Sequence, residues 1–124
     1  MLIFALLLAA AAPSALSEVH QRDIACVVEI AVQADAQKRG IAAGTDVQAH
    51  GKRWAGIVGD RIVFETGQPR EVVALAMQEA AQASVGKTRD GAVLDACTRQ
   101  MLRELAVASA ADQPLPKPVQ SKCA

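Results

Sequence analysis

Apolar and polar positions alternate with helical periodicity along most of the chain after residue 20. The segment from about Asp23 to Arg39 places its apolar residues three and four positions apart, which predicts a helix with one buried face. That face consists of Ile24, Val27, Val28 and Ala31, widened by Ile30, Val32 and Ala34. Gly40 follows two cations, Lys38 and Arg39, and both features favour the end of a helix at this point.

A second helix is predicted from about Thr45 to Thr66. Residues 45–48, Thr-Asp-Val-Gln, have the form of a capping box, and Gly67 is placed to end the helix. Its apolar side consists of Val47, Trp54, Ile57, Val58 and Ile62. Glycines inside this segment weaken a helix by up to about 1 kcal/mol each. Residues 53–65 could therefore form a β-hairpin instead, with a Gly-Asp turn at residues 59–60.

Two further helices are predicted in the second half of the chain. Pro69 suits the first turn of a helix, and the third helix is expected to run from there to Gly86. The fourth is expected from about Asp90 to Ala108. Its apolar stripe consists of Val93, Leu94, Cys97, Met101 and Leu105. The predicted fold is all-α, a small bundle of about four helices.

The start of the chain has the layout of a secretory signal peptide. An apolar run from Leu2 to Ala12 is followed by small residues, and no charged side chain precedes Glu18. A membrane-spanning helix needs roughly 20 residues, so a short membrane anchor is the less favoured alternative. Small residues at Ala15 and Ser17 predict cleavage after Ser17. The predicted division is a signal peptide over residues 1–17, a helical domain over 18–111 and a proline-rich flexible tail over 112–124.

Charge and composition narrow the classes of function. The chain carries 13 basic and 13 acidic residues, so it lacks the basic excess that is typical of nucleic-acid binding. After residue 17 its only aromatic residues are Trp54 and Phe64, whereas bulky apolar and aromatic groups line most small-molecule pockets. We therefore expect no nucleic-acid partner, no membrane attachment after cleavage and no cofactor.

Three cysteines remain after the predicted cleavage: Cys26, Cys97 and Cys123. An exported protein enters an oxidising compartment, where cysteines tend to pair. Cys26 lies at the edge of the apolar face of the first predicted helix and Cys97 within that of the fourth, so a Cys26–Cys97 disulfide would join these two helices. Pairing with the tail Cys123 is the main alternative, and two buried thiols are another. If Cys26 and Cys97 pair, Cys123 is left free or links two molecules into a covalent dimer.

The sequence offers no clear set of residues for catalysis or metal binding. Residues 81–88 match a relaxed P-loop pattern, but a predicted helix precedes them where the motif needs a strand. We interpret them as a helix end followed by a helix cap. His20 and His50 are the only histidines, and neither has a second ligand at metal-binding spacing. No serine lies in a nucleophile-elbow sequence, and we expect no enzyme activity.

One group of polar residues lies on the apolar side of the second predicted helix. It consists of His50, Trp54, Arg61 and Glu65. Arg61 and Glu65 are four residues apart, so they could pair with each other on the helix surface. The functional alternative is an interaction patch in which Trp54 provides contact area and Arg61 provides charge, as at many protein–protein hot spots.

The arrangement of Cys26, Glu65-Thr66-Gly67 and Cys97 resembles that of small, uncharacterised exported helical proteins of alphaproteobacteria. In those proteins an early helix and a later helix each carry a cysteine, with a Glu-Thr-Gly helix end between them. The resemblance covers roughly residues 23–105 and implies a fold type without an activity. Ala96-Cys97-Thr98 is also loosely similar to the second cysteine region of HdeA-type acid-stress chaperones, which are small, periplasmic and helical.

Taken together, these features predict a small exported helical protein, periplasmic or secreted. We expect it to act by protein–protein interaction or in a stress response, with a protein partner that the sequence does not identify. An immunity protein against a secreted effector is the alternative, because such proteins are often small, exported, helical and joined by a disulfide.

Overall fold

The computed structural model of the protein describes residues 16–112. Within that range the chain forms four helices and no strand. The helices are α1 (Glu18–Lys38), α2 (Gln48–Thr66), α3 (Arg70–Ser84) and α4 (Gly91–Asp112). The predicted all-α bundle is confirmed. Of the predicted signal peptide only Leu16 and Ser17 are described, and the tail beyond Asp112, with Cys123, lies outside the described residues.

α1 and α2 form the centre of the bundle, because each of them contacts all three other helices. α3 and α4 both pack on this central pair, yet these two described helices have no Cα atoms within 8 Å of each other. None of the four helices, within the range that the structure covers, is long and apolar enough to cross a membrane.

α1 begins at Glu18, earlier than the sequence pattern predicts, because Ser17 caps it. The Ser17 hydroxyl accepts a hydrogen bond of 3.3 Å from the backbone N–H of His20, which would otherwise lack an intrahelical partner. The helix ends where predicted. Gly40 adopts a left-handed φ of 71°, and the N–H of the next residue, Ile41, donates to the carbonyl of Ala36 at 3.0 Å.

The predicted capping box at the start of α2 is wrong. The helix begins at Gln48, and Val47 stands at its cap position without a side-chain hydrogen bond. The backbone there is satisfied by other groups: the N–H of Val47 donates to Gln37 of α1 at 3.0 Å, and that of Gln48 donates to Asp46 at 2.9 Å. Gln37 also donates to the carbonyl of Thr45 at 2.7 Å. A residue of α1 thus holds the segment before α2 through two hydrogen bonds.

The alternative of a β-hairpin over residues 53–65 is also wrong, since α2 is continuous through this segment. Its buried residues, Trp54, Val58 and Ile62, recur every four positions and face the core. Gly67 ends the helix with a left-handed φ of 70°, as predicted.

The core is formed by apolar stripes of all four helices. Its largest fully buried side chain is Trp54, which belongs to a cluster of buried apolar residues. The principal members besides Trp54 are Ile24, Val27, Ile30, Val58, Ile62, Val73, Cys97, Met101 and Leu105. The predicted Cys26–Cys97 disulfide is present, with the two Cα atoms 5.1 Å apart, and it joins α1 to α4. This bond fixes the position of α4 on the central pair.

Candidate functional site

The four residues predicted as an interaction patch lie on α2 without forming one exposed surface. His50 is exposed, whereas Trp54 is fully buried at 0% exposure. The side chains of Arg61 and Glu65 are 30% and 48% exposed. The hypothesis that Trp54 offers contact area to a partner is therefore wrong, because the core of the bundle encloses the indole.

Arg61 connects three helices through two ion pairs. Its Nη1 atom donates to Glu104 Oε1 in α4 at 2.6 Å, and its Nη2 atom donates to Asp23 Oδ2 in α1 at 3.0 Å. The predicted pairing of Arg61 with Glu65 along α2 is wrong, because the guanidinium extends across the helix junction towards the two carboxylates.

Neutral donors complete this polar network. The Trp54 indole donates to Glu104 Oε1 at 3.1 Å, and the Gln100 amide donates to Glu104 Oε2 at 2.9 Å and to Asp23 Oδ1 at 2.8 Å. Each carboxylate oxygen of Asp23 and Glu104 thus accepts a hydrogen bond. In residues 16–112 no buried side-chain nitrogen or oxygen is left without a partner. The network therefore satisfies its own polar groups and holds α1, α2 and α4 together.

The electrostatics of the network favour its charged form. Burial raises the pKa of Glu104, but hydrogen bonds from Arg61, Gln100 and Trp54 outweigh burial. The net pKa of Glu104 is therefore below the ordinary value for a glutamate. Burial likewise lowers the pKa of Arg61, while the hydrogen bonds and negative charges of Glu104 and Asp23 raise it by more, so it stays charged at every accessible pH.

A second polar connection links the start of α1 to α2. The Nε2 atom of His20 lies 2.8 Å from Glu65 Oε2, and its Nδ1 atom lies 3.0 Å from the Ser17 hydroxyl. His20 is buried, at 8% exposure, so this imidazole is held between the cap of α1 and the last turn of α2. Glu65, which the sequence pattern placed in the patch, is thus engaged in fixing the N-terminus of α1.

The partners of Arg61 are not apparent from local sequence spacing. Asp23 and Glu104 are separated from it by 38 and 43 positions, so local spacing cannot reveal them. A usable signal was present, since each acid lies beside the apolar stripe of its own helix. Asp23 precedes Val27 by one turn, and Glu104 adjoins Leu105. An acid at such a position on two helices, with a cation similarly placed on a third, indicates a buried ion pair.

A groove in the described part of the chain was not apparent from the sequence pattern. It has a volume of about 490 Å³ and lies between α1, the end of α3 and the loop before α4. Val32 and Val85 form part of its apolar lining and are 36% and 81% exposed. Its charged lining consists of three cations and one anion: Arg39, Lys87, Arg89 and Glu29.

Arg89 fixes the loop that forms one wall of this groove. Its Nη2 atom donates to the backbone carbonyl of Glu29 at 2.9 Å and lies 3.1 Å from the Glu29 carboxylate. Arg39, which also lines the groove, pairs with Asp35 one turn earlier in α1 at 2.7 Å. Lys87 is exposed at the loop itself. The groove therefore has an apolar lining beside cationic groups.

The loop that contributes Lys87 is the segment that matches a relaxed P-loop pattern. α3 ends at Ser84 and α4 begins only at Gly91, so no helix starts at residues 86–88 to direct its N-terminus at a phosphate. The Asp90 carboxylate caps α4 by accepting from the N–H of Ala92 at 2.9 Å. This agrees with our interpretation of the segment as a helix end followed by a helix cap. Over residues 16–112, no three histidine, cysteine, aspartate or glutamate side chains are grouped to hold a metal ion.

Comparisons with models of protein families, with curated proteins and with solved structures find no match to this chain.

Proposed function

We propose that this chain is an exported protein, periplasmic or secreted, that acts by binding another protein at the groove between α1 and the α3–α4 loop. The export half of the proposal is supported by the charge-free apolar start and by the Cys26–Cys97 disulfide, because stable disulfides are typical of oxidising compartments.

The groove is the observation that carries the binding half. Exposed apolar side chains next to cations fit an extended segment of a partner that alternates apolar and acidic residues. A small-molecule ligand is less well matched, because the lining residues include no aromatic group and the groove is open to solvent. The chain's own tail is also poorly matched, since residues 113–124 contain two lysines and no acidic residue.

Site-specific crosslinking in living cells tests this proposal. A photoreactive amino acid at Val85, in the groove, is expected to give one discrete adduct with another protein. Val107 on α4 is the control site, because it is similarly exposed, at 70%, and does not line the groove. Equal adducts at both positions, or none at Val85, would contradict binding at the groove.

Charge reversal tests the chemistry of the partner. Lys87→Glu is expected to abolish the Val85 adduct, because it places an anion beside the acidic segment. Lys52→Glu makes the same change at an exposed position on α2, outside the groove, and should leave the adduct intact. Fractionation of the same cells tests export separately, since the protein should appear outside the cytoplasm.

A further inference from the structure

Leu16 belongs to the folded domain, although the sequence pattern assigns it to the signal peptide. Its side chain is packed in the hydrophobic core and is only 8% exposed. Its backbone carbonyl accepts a hydrogen bond of 3.0 Å from the side-chain amide of Gln21. A residue with these contacts contributes to the stability of the bundle.

Ser17 is bound to the domain still more closely. Its hydroxyl accepts from the backbone N–H of His20, and its carbonyl accepts from the N–H of Gln21 at 3.0 Å. The hydroxyl also lies 3.0 Å from His20 Nδ1, whose ring reaches Glu65 through its other nitrogen. Ser17 thus contacts His20 at the start of α1, and His20 in turn contacts Glu65 at the end of α2.

Cleavage after Ser17 would remove every contact that Leu16 and Ser17 make with the domain. It would also place a positively charged α-amino group on Glu18, at the first residue of α1. A cation at a helix N-terminus is unfavourable, because the unpaired N–H groups there already carry partial positive charge. A mature chain starting at Glu18 would therefore lose a helix cap and a core residue while gaining a repulsive charge.

We infer that the signal peptide is removed upstream of Leu16, so that the first residue of the mature protein lies between Ala12 and Leu16. This inference rests on the proposed export of the chain. Small residues suitable for the −3 and −1 positions are available upstream: Ala9 with Ala11, and Ala12 with Ser14. The mature protein then keeps both Leu16 and Ser17.

The N-terminal sequence and intact mass of the full chain, expressed in a Gram-negative bacterium and recovered from its periplasm, test the inference. We expect an N-terminus between Ala12 and Leu16. A protein that begins at Glu18 would overturn the inference while leaving the export proposal standing. A protein that retains Met1 in the cytoplasm would overturn the export proposal and, with it, the inference.

A melting experiment on the exported protein provides a second readout. Leu16→Ala is expected to lower the melting temperature by at least about 4 °C, because it removes a core side chain that the mature protein retains. Val19→Ala is the matched control, since Val19 is 62% exposed at the same helix start. Identical melting of the wild type and Leu16→Ala would count against the inference.

Discussion

Gly51 of α2 lies directly against Ile30 of α1, and a Cβ atom at Gly51 would be 2.9 Å from Ile30 Cγ2. That distance is well below the separation at which two carbon atoms attract each other. Ile30 is 1% exposed and β-branched, so its side chain has little freedom to move away. The missing side chain at Gly51 therefore allows the two central helices to pack closely.

We predict that Gly51→Ala destabilises the protein by about 1–3 kcal/mol, because overpacking outweighs the better helix propensity of alanine. Gly56→Ala is the matched control within the same helix. A Cβ atom at Gly56 meets nothing within 4 Å, so this change should stabilise by roughly 0.5–1 kcal/mol. Urea denaturation measures both, and effects of the same sign would contradict the proposed helix contact.

Replacement of Arg61 tests the network between α1, α2 and α4. Arg61→Met should cost about 2–3 kcal/mol, because Asp23 and Glu104 would both lose their cation while staying partly buried. Arg70→Met removes an arginine whose pair with Asp60 is exposed, and should change stability little. Fluorescence of the single tryptophan, Trp54, follows unfolding in both variants.

The lowered pKa of Glu104 predicts how stability depends on pH. Because the folded state lowers this pKa relative to the unfolded chain, the stabilisation is fully present above the ordinary glutamate value of 4.5. It is lost as the pH falls through the lower folded-state pKa. The melting temperatures of the wild type and Glu104→Gln should therefore differ by a constant amount from pH 7 to about 5. This difference should shrink below about pH 4. A difference that stays constant into strong acid would refute this assignment.

The disulfide gives a prediction about thermal stability. Cys97→Ser should lower the free energy of unfolding by about 2–5 kcal/mol, since the bond spans a sequence separation of 71. Cys26→Ser should have the same effect, and the double variant should be no worse than either. Cys123→Ser is expected to leave melting unchanged and to abolish any covalent dimer. Peptide mapping that recovers Cys123 linked to Cys26 or Cys97 in the monomer would contradict the pairing.

The helices could be predicted from the sequence because their buried stripes are regular. Trp54, Val58 and Ile62 recur at one turn each, and glycine at residue 67 is an unambiguous stop. The disulfide followed from the same patterns, since Cys26 and Cys97 both lie on or beside buried stripes. These features depend on the buried apolar stripe of each helix. Such a stripe can be identified from residues that are near one another in the sequence.

Local spacing does not identify the partners in the polar contacts, because these partners are distant in the sequence. Four-residue spacing suggested Arg61 with Glu65, whereas the folded bundle presents Arg61 with two carboxylates from other helices. The capping box at Thr45 is wrong because other residues satisfy the backbone at the start of α2. Asp46 accepts from the N–H of Gln48, and Gln37 of α1 accepts from the N–H of Val47 and donates to the carbonyl of Thr45.

The Cys26–Cys97 bond closes a covalent ring that contains the whole of α2 and α3. A protease that cuts the exposed loop at Lys87 would open this ring without separating the two pieces. The nicked molecule would keep its mass, apart from one added water, and would run as two fragments only after reduction. Both ends of the chain would stay attached to one molecule, so a break in the loop beside the groove would not release either half of the bundle.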